Sequence, residues 1–123
     1  SSSVLNRVVG MSPSAILGAL QSNGRVFLIN PNGITIGAGA SIDVAGFVAS
    51  TLNMSDGDFI AGRMRFSQGH AAAGAVVNQG SINTAGGGMV YLVGRDVQNS
   101  GIIRSPGGEI MLAAGKSVEL VDS

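Results

Sequence analysis

The chain has no cysteine and no tryptophan, one tyrosine and three prolines, and only seven basic and seven acidic residues among 123. Without cysteine there is neither a disulfide framework nor a thiolate metal site. That absence suits a chain that crosses an oxidising compartment before folding, although many cytosolic domains share it. A net charge of zero removes the electrostatic case for nucleic acid or an anionic membrane as the main partner. No apolar run is long enough for a membrane-spanning helix. Ser1-Ser2-Ser3 lacks the basic and apolar regions of a signal peptide, so the chain reads as a mature or excised piece.

What is present is glycine, 20 residues of it, in a chain that is 45% apolar and 11% charged. Glycine is at about twice its usual share and charge at less than about half of normal. Disorder is excluded by the abundance of Val, Ile and Leu. Collagen is excluded because the glycines have no period of three. The length suits one domain, 1–123, with a single sizeable core.

The glycines fall in an internal repeat. VVNQGSINTAGGGMVYLVGRD (76–96) placed over VQNSGIIRSPGGEIMLAAGKS (97–117) matches at seven of 21 positions without a gap. The identities include Val76/Val97, Asn78/Asn99, Gly80/Gly101 and Ile82/Ile103, with Gly86/Gly107, Gly87/Gly108 and Gly94/Gly115 completing the set. Met89/Ile110 and Arg95/Lys116 are conservative matches. The same step of 21 links Leu5, Val26 and Phe47, and a double step links Phe47 to Met89. Within each repeat, runs such as Val26–Ile29, Ile34–Ile36 and Met89–Val93 are short and β-branched, and Gly, Asn or Ser corners separate them. About 20 residues and three short strands per repeat is the arithmetic of a β-solenoid, whose strands stack in parallel about 4.8 Å apart. An ordinary β-sandwich with coincidental self-similarity is the alternative. Residues 52–75 break the pattern, carrying two of the seven acids, two of the seven bases and the single histidine. Strands around Asp58–Ala61 and Arg63–Phe66, joined at Gly62, predict a hairpin lying outside the coil.

Asn30-Pro31-Asn32-Gly33 reads as a turn. Pro31 pre-sets φ, Asn32 tolerates the bridge or left-handed region, Gly33 closes the turn and the Asn30 side chain can form an Asx-turn. The corner directs the strand that starts at Ile34. Asn78 and Asn99, one step apart, can stack as an amide ladder. His70 has no nucleophile-elbow string beside it and reads as an exposed loop residue. With Asp56 and Asp58 it makes a poor metal set, and neither a metal nor a cofactor is expected. Polysaccharide-acting β-helices need converging carboxylates. Of the seven acids only Asp56 and Glu119 fall in one column at a step of 21, and aromatic platforms for sugars are nearly absent. Gly37–Gly39 and Gly86–Gly88 lack the lysine of a phosphate loop and read as corners. Asn53-Met54-Ser55 matches a glycosylation acceptor, a pattern short enough to arise by chance. No enzymatic activity is expected.

Four ordered strings then stand out: VLNRVVG (4–10), SNGRVFLINPNGI (22–34), DFIAGRMRFSQG (58–69) and GAVVNQGSI (74–82). Together they resemble the N-terminal two-partner secretion domain of the filamentous haemagglutinin family, over the chain from about Val4 to its end. The resemblance implies an all-β, right-handed parallel β-helix that heads a large bacterial adhesin, cytolysin or contact-dependent toxin. It implies binding in the periplasm by an outer-membrane transporter partner, then folding at the cell surface of a Gram-negative bacterium. It also implies a secretion role for Asn30, Pro31, Asn32, Gly33 and Ile34. Family members carry a capping segment before VLNRVVG, which with the signal peptide is expected to be absent from a chain starting at Ser1. Any host or bacterial cell surface would be met through the parent protein. A structural or adhesive unit that self-associates end to end into fibres is the second reading, because an uncapped solenoid has open parallel edges.

Overall fold

A computed structural model describes residues 3–7, 12–67, 74–115 and 117–120. It contains fifteen strands and one helix among these residues, numbered here in chain order. Three parallel sheets wind into a β-solenoid. The first sheet stacks β1 (Ser3–Arg7), β4 (Arg25–Ile29), β7 (Gly46–Ser50), β11 (Met89–Gly94) and β14 (Glu109–Ala114). The second stacks β2 (Ser14–Ile16), β5 (Ile34–Ile36), β9 (Ala75–Asn78) and β12 (Asp96–Asn99). The third stacks β3 (Ala19–Gln21), β6 (Ser41–Val44), β10 (Ser81–Thr84) and β13 (Ile102–Arg104). One strand of the first sheet begins each coil, so five coils are present.

The alternation of side chains along each strand decides what is inside. In β10, Ile82 is fully buried between half-buried Ser81 and Asn83, and in β5 Ile34 and Ile36 are buried around Thr35. Parallel register then puts like above like: Leu20, Ile42, Ile82 and Ile103 form one inward column. Val26, Phe47 and Val90 form another. The inner core is made of Ile, Val, Leu and Ala with Phe47 as its one aromatic.

The first sheet is covered on both sides. All five residues of β7 are buried, as suits a parallel strand enclosed on two faces. Its outward side chains Phe27, Ile29, Val48, Tyr91 and Val93 form a second core with Leu52, Met54 and Phe66. Residues 52–67 leave the coil to supply that cover, but not as the predicted hairpin. Asp56–Ala61 is a helix, α1, not a strand. Ser55 Oγ caps it by accepting from the Asp58 N–H at 3.1 Å, and Gly62 ends it in the left-handed conformation at φ 75°. So short a helix is marginal alone. Phe59 anchors it by meeting Phe27 edge to face, with ring centroids 5.1 Å apart. The following strand, β8 (Met64–Ser67), pairs antiparallel with β15 (Ser117–Leu120), and Asn53 bridges to Ser67. The cap and the C-terminal glycine make residues 56–61 a helical turn where a strand around Asp58–Ala61 was expected.

The repeat step also needs correcting on the first sheet. Val76/Val97, Asn78/Asn99 and Ile82/Ile103 pair as expected. Met89, however, pairs with Glu109, while Val90 pairs with both Ile110 and Phe47. At the other end Val4, not Leu5, pairs with Val26. The coil from β11 to β14 is one residue shorter at its glycine corner, where Gly87 and Gly107 share positive φ of 79° and 63°. Slipping one residue along a strand would turn its inward side chains out, so the corner absorbs the difference and the strand keeps its face. The Arg95/Lys116 match involves a residue outside those described.

Close stacking makes some glycines obligatory. A Cβ on Gly80 would lie 2.5 Å from Gly37 O and 2.7 Å from Ala40 O, whereas one on Gly39 meets nothing within 4 Å. Gly80→Ala should therefore destabilise by about 1–3 kcal/mol, and Gly39→Ala should be neutral or stabilise by up to about 1 kcal/mol. Ile82→Ala, opening a cavity in the isoleucine column, should cost about 2–5 kcal/mol. Urea denaturation monitored by far-UV circular dichroism checks all three.

Candidate functional site

The residues Asn30 to Gly33 form the corner between β4 and β5, held between the coils on either side. Gly33 N–H donates to Asn30 O at 3.2 Å, closing the turn. Asn32 does not enter the left-handed region; Gly33 alone takes the positive φ here, 130°. Asn30 is 1% exposed, and its side chain works in two directions. Its Oδ1 accepts from Asn32 N at 3.0 Å and Asn32 Nδ2 at 2.9 Å, building the Asx-turn. Its Nδ2 donates to Ser12 O at 3.0 Å and Ser14 Oγ at 2.8 Å, reaching the preceding coil. Pro31, which cannot donate, offers its carbonyl to Gly74 N–H at 2.8 Å as the chain re-enters the solenoid after the insertion. A Cβ on Gly74 would sit 2.6 Å from Asn32 O. Ile34 is 1% exposed and pairs with Ser14 below and Val76 above. The motif thus joins three consecutive coils.

Asn78 and Asn99 lie at the next corner of the coil. Asn78 Nδ2 donates to Asn99 Oδ1 at 2.9 Å, and each Oδ1 accepts the backbone N–H two residues on, at Gly80 (3.1 Å) and Gly101 (3.2 Å). Asn78 is fully buried and Asn99 is exposed. A parallel polar rung, Thr84 Oγ1 to Ser105 Oγ at 2.8 Å, marks the third corner. Ser12, Ser14, Gly74 and the Thr84/Ser105 pair were not singled out in the sequence. The last was visible as two hydroxyl residues one step of 21 apart.

The charged groups do not converge. Asp58 binds Arg65 at 2.7 Å and lies 3.9 Å from Arg63. Its hydrogen bond to Arg65 is the main cause that holds its carboxyl below the usual carboxylate range, with the Arg65 charge, the Ser55 hydroxyl and the Arg63 charge adding to it. Glu109 accepts from the Tyr91 hydroxyl at 2.6 Å, and Asp43 accepts from Ser41 Oγ at 3.1 Å. The Asp56/Glu119 column does not exist: Asp56 begins α1, and Glu119 lies on β15, opposite Arg65. Among the described residues no three His, Cys, Asp or Glu could hold a metal ion. His70 lies outside those residues, as do the last three of VLNRVVG.

A β-solenoid with an extra-helical segment clamped over its first sheet spends its polar groups on corner ladders. Comparison with known proteins makes the assignment specific. The profile of the TPS secretion domain matches residues 1–123, and the chain belongs to that family. It is similar to the HMW1 secretion domain from Haemophilus influenzae, with a TM-score of 0.93 and 46% identity over 98% of this chain and 33% of the other. It is also 51% identical over 49 residues to the heme/hemopexin-binding protein of Haemophilus influenzae, covering 40% of this chain and 5% of that protein. The same protein from strain KW20 Rd matches to the same extent. The chain therefore spans a small fraction of the curated relatives it matches.

Asn30→Ala removes a buried amide that bridges two coils and should cost about 1–3 kcal/mol. Asn30→Asp keeps the Asx acceptor, loses both inter-coil donors and should not rescue it. Asn99→Ala should cost less than Asn78→Ala, because only Asn78 is buried; urea midpoints give both orders. For Asp58 the folded pKa lies below the unfolded one, so its stabilisation is complete above the unfolded value of about 4 and is lost as pH falls through the folded value. Asp58→Asn should therefore loosen α1 at neutral pH and make no difference well below that value. Amide exchange of residues 56–61 across pH tests this.

Proposed function

We propose that this chain is the secretion and recognition module of a large bacterial surface exoprotein. In this reading an outer-membrane transporter partner binds it through periplasmic domains, and the chain folds into its solenoid on reaching the cell surface. The parent is an adhesin, cytolysin or contact-dependent toxin, secreted or held at the surface of a Gram-negative bacterium. The observation that carries this reading is the family match across the whole chain, supported by the likeness to a solved secretion domain. The haem or haemopexin binding named for the curated relative concerns a protein of which this chain covers 5%, and it is not carried over. No catalytic role is proposed. Among the described residues no helix is long and apolar enough to cross a membrane.

The corner at Asn30–Ile34 serves this function through folding: it couples three coils, and its loss impairs secretion because the emerging chain no longer stacks. Deletion of residues 1–123 from the parent exoprotein should abolish its release into the medium, with the transporter present. Unimpaired release would overturn the module reading. With Asn30→Ala in the parent, release should fall in step with the lost stability of the purified domain. A fall in release with full stability would assign the motif to direct transporter contact instead.

One observation favours a second reading, end-to-end self-association. On the last described coil Ile110 and Leu112, stacked on the buried Val90 and Leu92, are each 47% exposed, leaving apolar interior positions uncovered. Light scattering of the purified chain over a concentration series should show growing oligomers if this edge pairs with another copy, and a constant monomer mass if it does not.

A further inference from the structure

The two cores differ in chemistry. Among the described residues the inner core contains no methionine. The outer core holds Met54 at its centre, and Met64, Met89 and Met111 pack against its margin. Four of the five methionines thus gather where the extra-helical segment meets the first sheet, and the fifth, Met11, lies outside the described residues. Their exposure is graded: Met54 is 1% exposed, while the other three are half-buried. The aromatic rings are partitioned in the same way, with Phe27, Phe59, Phe66 and Tyr91 all in or against the outer core. The seal is incomplete. A cleft of about 60 Å³ runs between segment and sheet, lined by Phe27, Met54, Phe59 and Met64 with Asp58 and Arg63. The cleft is open to water-sized molecules, and so to a small peroxide.

We infer that the outer core is a methionine-oxidation site that controls whether the extra-helical segment stays docked on the solenoid. The oxidant is a peroxide, the small two-electron oxidant that meets a chain at or beyond the cell surface. A thioether sulfur lone pair attacks one peroxide oxygen. The S–O bond forms as the O–O bond breaks, and water leaves with both protons, so that R–S–CH₃ and H₂O₂ give R–S(O)–CH₃ and H₂O. Each sulfoxide puts a polar group into an apolar, aromatic contact. Among the described residues the inner core holds no methionine, so oxidation acts on the outward face of the first sheet and on the segment that covers it, not on the packing inside the coils. α1 is held by Phe59 and β8 by Phe66 and one antiparallel strand pair, so both depend on the surface that oxidation alters. This inference does not rest on the transporter reading.

The test is mild hydrogen peroxide treatment of the purified full chain, followed by peptide mass mapping and hydrogen exchange. Met64, Met89 and Met111 should each gain one oxygen before Met54 does. Exchange of α1 and β8 should then rise about tenfold or more, on the scale of leaving one polar group unsatisfied in an apolar contact. Strands β5, β6 and β10 should be unchanged. A variant carrying Met64→Leu, Met89→Leu and Met111→Leu keeps core volume and should retain protection of α1 and β8 in peroxide. Sulfoxide formation that leaves α1 and β8 exchange untouched would overturn the inference. Exchange that rises equally in β5, β6 and β10 would also overturn it, since the segment would then not be a separate unit.

Discussion

Parallel stacking at one fixed spacing is the constraint on which this structure depends. Each residue's nearest neighbours are the residues one coil before and one coil after, so side-chain types must be compatible along columns rather than along the chain. Isoleucine satisfies this by packing on itself, as at Ile42 and Ile82. Asparagine satisfies it because its amide both donates and accepts, as from Asn78 to Asn99. Glycine satisfies it where backbones must nearly touch, as at Gly80 over Gly37 and Ala40. Charge satisfies it poorly, which accounts for a chain that is 11% charged.

The corner at Asn30 shows how the constraint extends to the turns. A solenoid corner must close its own bend and hold its height above the corner beneath. One amide side chain does both here, with its oxygen used inside the turn and its nitrogen used toward Ser12 and Ser14. An ionised acid in its place has no donor, and a hydroxyl has one proton where the amide uses two. The fold and the motif that resembles a secretion signature are therefore the same set of interactions.

Much of this was legible in the sequence, and the parts that were not have physical causes. The short β-branched runs, the glycine corners and the Asn78/Asn99 pair disclosed the solenoid, because columns leave a period in the chain. The one-residue slip at Gly87/Gly107 was hidden, since an ungapped alignment rewards matched glycines in a corner that tolerates length changes. The α1 helix was hidden because Asp58–Ala61 offers only a short apolar run before Gly62, while its cap and stop signals, Ser55 and Gly62, are single residues. The pairing of β8 with β15 carries no periodic signal at all. The outer core followed from neither pattern nor motif: Phe27 and Val48 looked like further core strand residues, and only the structure shows that they face the opposite side of the sheet.

The antiparallel pair of β8 and β15 has a mechanical meaning. A stack of parallel rungs pulled at one end comes apart one rung at a time, each held only by the rung below. Here the strand after the last described rung turns back to grip a strand that branches from the third coil. Tension applied beyond Leu120 is delivered first to that grip, past the fourth and fifth coils. Peeling must begin by detaching β15 from β8, and until it does the outer two coils are shielded from the pull.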